Sequence, residues 1–330
     1  MNWFLFFFSA AVIVLAAIQL ARYGDVIALR TRLGGLFVGT LLIAGATSLP
    51  EMLTTVSSIN QGVPDLAAGN LLGSNMFNMF VLALLDLLNR DQRVLRRAAL
   101  KHALSGSLTL VLIGLVCFFI LARIDLKIGW VGVDSLVIML TYVAAIRLIQ
   151  SGNLIPSGAA DAAEEIPAGV PSLRRALLGF GAATLVLVFI TPLLVRSSVG
   201  IAEETGLGAT FVGSTLVALV TSLPELVTTL AAIRLGAADM AIGNLFGSNL
   251  FNMFVLGLAD VFYAQGRFLG AISPDFVLIG LIGLLMTGLG LVGNLARLER
   301  RLLGVELDAL LLVVMYFAGM GWLYARGLGG

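Results

Sequence analysis

Apolar residues in this chain come in runs of about twenty, cut by short polar or glycine-rich stretches. About that many residues are needed for a helix to cross the hydrocarbon core of a bilayer. The runs predict ten membrane spans, at roughly 2–21, 34–59, 66–88, 103–122, 129–150, 174–197, 209–233, 240–262, 272–291 and 305–325. The first run, to Leu20, is longer than the apolar stretch of a leader peptide, and no basic residue precedes it, so it is expected to stay as a helix. The one long polar interruption is Ser151–Ser172, which holds Pro156, Pro167, Pro171, Asp161, Glu164 and Glu165 and reads as a solvated hinge. The expected organisation is a first five-helix unit at 1–150, a linker at 151–172 and a second five-helix unit at 173–330.

The two units are related. At a shift of 174 residues, Gly39–Asp86 aligns without a gap on Gly213–Asp260, with 28 of 48 positions identical. The densest matches are Thr47-Ser48-Leu49-Pro50-Glu51 with Thr221-Ser222-Leu223-Pro224-Glu225, and Gly69-Asn70-Leu71-Leu72-Gly73-Ser74-Asn75 with Gly243-Asn244-Leu245-Phe246-Gly247-Ser248-Asn249. Five spans is an odd number, so the second unit must enter the membrane upside down relative to the first. The expected fold is therefore an all-α integral membrane protein whose ten helices form two inverted repeats. In transporters built this way, the ion site lies near the midplane, where the repeats meet.

Composition supports the membrane reading and narrows the function. A hydrophobic share of 59%, a charged share of 12% and a mean hydropathy of +1.03 exclude an ordinary soluble domain. Ten spans would place fifteen of the twenty Lys and Arg on one side, which the positive-inside rule makes cytoplasmic. The linker is then cytoplasmic and both termini lie outside a plasma or inner membrane. The net charge of +1 gives no reason to expect nucleic acid. The lone Cys117 and lone His102 offer neither a disulfide nor a soft-metal site. Expected partners are inorganic cations and the lipid bilayer, with no cofactor, no catalytic constellation and no obligatory protein partner.

The candidate chemistry lies in the repeated motifs. Glu51 and Glu225 each sit mid-span, where a charge costs several kcal/mol, about 2.5–3.5 on insertion scales. Pro50 lacks an amide hydrogen, so the Ala46 carbonyl loses its helical partner and the turn before it, including the Ala44 carbonyl, can face a cavity. Thr47 and Glu51 share a helix face, with Ser48 beside them. Thr221, Ser222, Glu225 and the Ala218 carbonyl repeat the set. The glycines of the second motif permit close helix approach, and Ser74, Asn78, Ser248 and Asn252 add neutral oxygens on one face of each helix. All-oxygen ligands suit hard cations, Ca²⁺ above all, since it accepts six to eight flexible oxygens. An unpaired buried carboxylate tends to hold a proton. Two glutamates can therefore hold one divalent cation, monovalent ions or protons, and such exclusivity is what an antiporter needs. Elsewhere, Asp65 and Asp239 are expected to cap their helices, Asp86 and Asp260 to be interfacial, and Asp134 to sit at a wet rim.

These paired motifs resemble the alpha-repeats of the calcium/cation antiporter superfamily, the sodium/calcium exchangers. The resemblance implies a core of spans two, three, seven and eight, with spans one and six sliding across it. It also implies ion ligation by Thr47, Ser48, Glu51, Ser74, Asn78, Thr221, Ser222, Glu225, Ser248 and Asn252 and by the Ala44 and Ala218 carbonyls. Two departures bear on ion preference. Ala46 and Val220 stand where the family usually has glycine, and Asn252 stands where some relatives carry aspartate. Two central carboxylates rather than three argue against K⁺ co-transport. The Gly-Asn motifs contain no acid, unlike those of the proton-coupled branch, which favours exchange of Ca²⁺ for Na⁺ by alternating access. Proton/calcium exchange at the same glutamates is the alternative. An intramembrane aspartyl protease is disfavoured by glutamates in proline-bearing helices and the missing glycine-aspartate signature, and a passive channel would conduct without a counter-ion.

Overall fold

The computed structural model describes residues 1–31, 44–88, 99–152, 170–296, 301–302 and 305–327. Residues 34–43 of the second predicted span, most of the linker, and Arg32, Arg90, Arg93, Arg96, Arg97, Arg297 and Arg300 from the charge count lie outside these. The described helices run α1 (Asn2–Thr31), α2 (Leu49–Asn60), α3 (Pro64–Leu88), α4 (Ala99–Ala122), α5 (Val133–Gly152), α6 (Leu173–Thr205), α7 (Ala209–Arg234), α8 (Ala238–Phe262), α9 (Phe276–Ala296) and α10 (Leu307–Gly327). Among the described residues, nine of them, all but α2, are long and apolar enough to cross a membrane. α2 is the described part of the second predicted span, and a single helical turn from Ala44 leads into it.

Burial sorts the helices into a centre and a shell. The apolar windows of α3 and α8 are 78% and 72% buried, against 28% for α5, α6 and α10. The shell helices turn large side chains such as Phe189, Leu185 and Phe317 outward, as lipid contact requires. α1 and α6 pack along each other through Ile13, Leu20, Leu187 and Leu194. A 2.9 Å bond from Asn2 Nδ2 to Glu204 Oε1 ties their ends.

Close approach at the centre depends on glycine. A Cβ on Gly69 would lie 2.9 Å from Ser214 N, and one on Gly73 would collide with Ser214 O, so α3 meets α7 backbone to backbone. A Cβ on Gly247 would lie 2.9 Å from Ala44 Cβ. At the α3–α7 contact α7 carries a π-helical segment, Gly213–Val217.

Two features were not expected. Residues 127–132 and 301–306 each contain a pair of two-residue antiparallel strands, β1 (Lys127–Ile128) with β2 (Val131–Gly132), and β3 (Arg301–Leu302) with β4 (Val305–Glu306). These strand pairs stand 174 residues apart, so the internal repeat reaches past the motifs to the starts of α5 and α10. The helix ends are also drier than expected. Asp134 is 1% exposed rather than at a wet rim, with its Oδ2 3.7 Å from Arg267 Nη1. Asp260 is fully buried and accepts the backbone N–H groups of Gly132 and Phe268. Asp65 does not cap its own helix; it lies in the first turn of α3 and accepts Ser273 N at 2.8 Å. Other segments fold over the helix ends, so Asp65 and Asp260 accept backbone N–H groups from elsewhere in the chain and Asp134 faces the Arg267 side chain.

Candidate ion-binding site

Both Pro-containing segments restart a helix. α2 begins after Ser48 (φ −87°, ψ 8°), and the last segment of α7 begins after Ser222 (φ −91°, ψ 3°), with Pro50 and Pro224 in the first turn. Proline is tolerated there because its missing N–H is one of the orphan donors of a helix start. Each break places a serine hydroxyl and, three residues on, a glutamate at the packed centre. Neither serine caps its own helix; both hydroxyls reach the other half of the chain. Ser48 Oγ donates to Glu225 Oε1 at 2.8 Å, and Ser222 Oγ donates to Glu51 Oε1 at 2.9 Å. Within each half, Ser74 Oγ lies 3.5 Å from Glu51 Oε1, and Ser248 Oγ lies 3.3 Å from Glu225 Oε1.

The ten side chains named from the sequence are thus all fully buried. Cross-half bonds link Ser48 to Glu225, Ser222 to Glu51, Thr47 to Asn244 (3.4 Å) and Thr221 to Asn70 (2.9 Å). No ion pair among the described residues neutralises either glutamate. Glu51 Oε2, Glu225 Oε2, Asn78 Oδ1 and Asn252 Oδ1 are buried without a hydrogen-bond partner among the described residues. Buried polar atoms are rarely left so, and these four oxygens form two matching pairs, one in each half.

The Ala44 and Ala218 carbonyls are occupied rather than open. Ala44 O accepts Ser48 N (2.9 Å) and Thr47 Oγ1 (3.1 Å). Ala218 O accepts Ser222 N (3.0 Å) and Thr221 Oγ1 (3.3 Å). Pro50 deprives Ala46, two residues beyond Ala44, of a donor and so leaves the bond to Ala44 intact.

Four asparagines were missed as functional positions although they lie inside the quoted motifs. Asn70 and Asn244 hold the threonines across the halves, and Asn75 and Asn249 bridge α3 and α8. Only their place at fixed spacing from Ser74 and Ser248 could have signalled them. The halves are not identical. Asn244 Nδ2 lies 3.2 Å from Thr228 Oγ1, whereas Asn70 Nδ2 donates to the Glu51 carbonyl at 3.2 Å and the Thr54 hydroxyl has no hydrogen-bond partner among the described residues.

A multi-helix membrane protein with two buried, mutually bonded acid sets at its centre has the makings of an ion carrier. The chain belongs to the sodium/calcium exchanger protein family, whose model matches residues 1–149 and 175–326. It is 28% identical to the inner membrane protein YrbG of Escherichia coli (strain K12) over 226 residues, 68% of each chain. Its fold is that of the sodium-calcium exchanger NCX_Mj (TM-score 0.58, 22% identity, 97% of each chain covered). It is equally that of the H⁺/Ca²⁺ exchanger CAX (TM-score 0.64, 11% identity, 99% of this chain and 89% of that one). The protein is a multi-pass cation antiporter of the calcium/cation superfamily.

Proposed function

We propose that the protein exchanges Ca²⁺ for Na⁺ by alternating access, with one central site built from both halves. The observation that carries this is the set of four unpartnered oxygens, Glu51 Oε2, Glu225 Oε2, Asn78 Oδ1 and Asn252 Oδ1, among bonded hydroxyls. Two carboxylates supply the charge that a divalent cation neutralises, and the amide oxygens and hydroxyls bring the donors to the number Ca²⁺ accepts. Sodium ions, also hard, compete for the same oxygens. The Ala44 and Ala218 carbonyls join when the threonine hydroxyls rotate away. Two inverted repeats of five spans, with a cytoplasmic linker and external termini, give the site one exit on each side. The tight α1–α6 pair is suited to move as a unit across the rest. Matching pairs of bonds at a shift of 174 support that symmetry.

Protons are the other species that two carboxylates can take, and no basic side chain among the described residues competes for them. Uptake of ⁴⁵Ca²⁺ into vesicles carrying the purified protein separates the two couplings. An imposed Na⁺ gradient is expected to drive uptake, and a pH gradient without Na⁺ is expected to leave it at background. Uptake that follows the pH gradient and ignores Na⁺ would replace sodium by protons.

A further inference from the structure

Asn78 and Asn252 each lie with an oxygen and a nitrogen on the two arms of an amide, and only one arm helps a cation. Something must keep the nitrogen away from the centre, because an NH₂ group is a donor and repels positive charge. The structure contains a device that does this.

At the α3–α8 contact, Asn75 Nδ2 lies 3.4 Å from the backbone carbonyl of Asn249, and Asn249 Nδ2 lies 3.4 Å from the backbone carbonyl of Asn75. A backbone carbonyl only accepts, so each of these side chains must point its nitrogen there and its oxygen the other way. Asn249 Oδ1 then accepts from Asn78 Nδ2 at 2.9 Å, and Asn75 Oδ1 accepts from Asn252 Nδ2 at 3.0 Å. The amide nitrogens of Asn78 and Asn252 are thereby consumed. Their Oδ1 atoms are left buried and without a hydrogen-bond partner among the described residues. All four side chains are buried, at 1% exposure or less.

We propose that Asn75 and Asn249 are positioning residues that orient Asn252 and Asn78, respectively, so that amide oxygens rather than nitrogens face the transported cation. The proposal rests on the central-site reading above. Orientation passes from a main-chain carbonyl through one asparagine to the next, and each relay runs across the halves: Asn75 serves Asn252, and Asn249 serves Asn78. Without its relay, the served amide is free to turn and present nitrogen to the ion.

A carboxylate has no nitrogen to misplace, so aspartate at the served position makes the relay unnecessary. Equilibrium binding of ⁴⁵Ca²⁺ to the purified full chain therefore reads the proposal through paired substitutions. Asn75→Ala is expected to weaken Ca²⁺ about 10- to 100-fold, the usual cost of removing a partner that orients a metal ligand. The same loss is expected in an Asn78→Asp background. In an Asn252→Asp background, Asn75→Ala should change affinity by less than about twofold, because the coupled pair is no longer additive. Asn249→Ala should show the mirror pattern, silent only with Asn78→Asp. Equal penalties in all backgrounds, or none in the otherwise unaltered chain, would overturn the relay. So would failure of both alanine variants to accumulate when the matching aspartate is present, since that marks a packing role. A different result tests the parent reading: an unaltered chain that binds no Ca²⁺, or binds it equally after Glu51→Gln, removes the central site itself.

Discussion

The Ser48 hydroxyl and the Glu225 carboxylate, 177 residues apart in the chain, are joined by a 2.8 Å hydrogen bond at the buried centre of the molecule. Ser222 and Glu51 repeat the bond at 2.9 Å. Each carboxylate is therefore held by the opposite half through one oxygen, while its other oxygen has no hydrogen-bond partner among the described residues. This cross-bracing explains how two acids persist in a membrane interior.

Replacing either acid by its amide should remove exchange and keep the fold. Glu51→Gln and Glu225→Gln preserve shape and an acceptor for the cross-half serine, yet each removes one of two central charges. Ligand charge sets divalent affinity, so Ca²⁺ binding is expected to fall at least ~100-fold with near-normal expression and melting. Vesicle uptake by either variant at the rate of the unaltered chain would remove both residues from the site.

The α3–α7 contact should tolerate no side chain at Gly73. A Cβ there would overlap Ser214 O, whereas a Cβ on Gly45 meets nothing within 4 Å. Overpacking of this kind costs about 1–3 kcal/mol. Gly73→Ala should therefore lower the melting temperature in detergent and reduce exchange, and Gly45→Ala should match the unaltered chain in both. Equal melting of the two variants contradicts the close packing.

Asp134 and Arg267 should matter for stability rather than transport. Removing one member of a buried ion pair typically costs about 3–5 kcal/mol, because the other charge is stranded. Here Arg267 Nε keeps the exposed Asp125 at 3.9 Å, so the cost of Asp134→Asn falls towards or below the lower end. The melting temperature is expected to drop while the Ca²⁺ affinity of the folded fraction holds. An unchanged melting curve would show that the pair contributes nothing.

Much of this was readable from the residues. The duplicated motifs named ten side chains that are all buried, with Thr47, Ser48, Thr221 and Ser222 bonded across the halves, because a proline, a serine and a mid-span glutamate at fixed spacing in both halves leave few arrangements. What escaped were relationships set by a partner's position. An asparagine can bind an ion, pack a helix or orient a neighbour, and only the carbonyl opposite Asn75 shows which. The two-residue strands β1 to β4 are too short to carry a period of two. Asp134 read as a wet rim position and Asp260 as interfacial because burial at a helix end depends on where the next loop goes. The Ala44 carbonyl was expected to open, but the donor lost at Pro50 belongs to Ala46.

The most direct test is to soak or grow crystals of the protein with Sr²⁺, a heavier stand-in for Ca²⁺, and locate the ion by anomalous scattering. The account predicts one strong peak between the halves, within about 2.3–2.6 Å of Glu51 Oε2 and Glu225 Oε2 allowing for the larger ion, and touching Asn78 Oδ1 and Asn252 Oδ1. A peak bound by only one half, or an empty centre in protein that exchanges Ca²⁺ in vesicles, contradicts it.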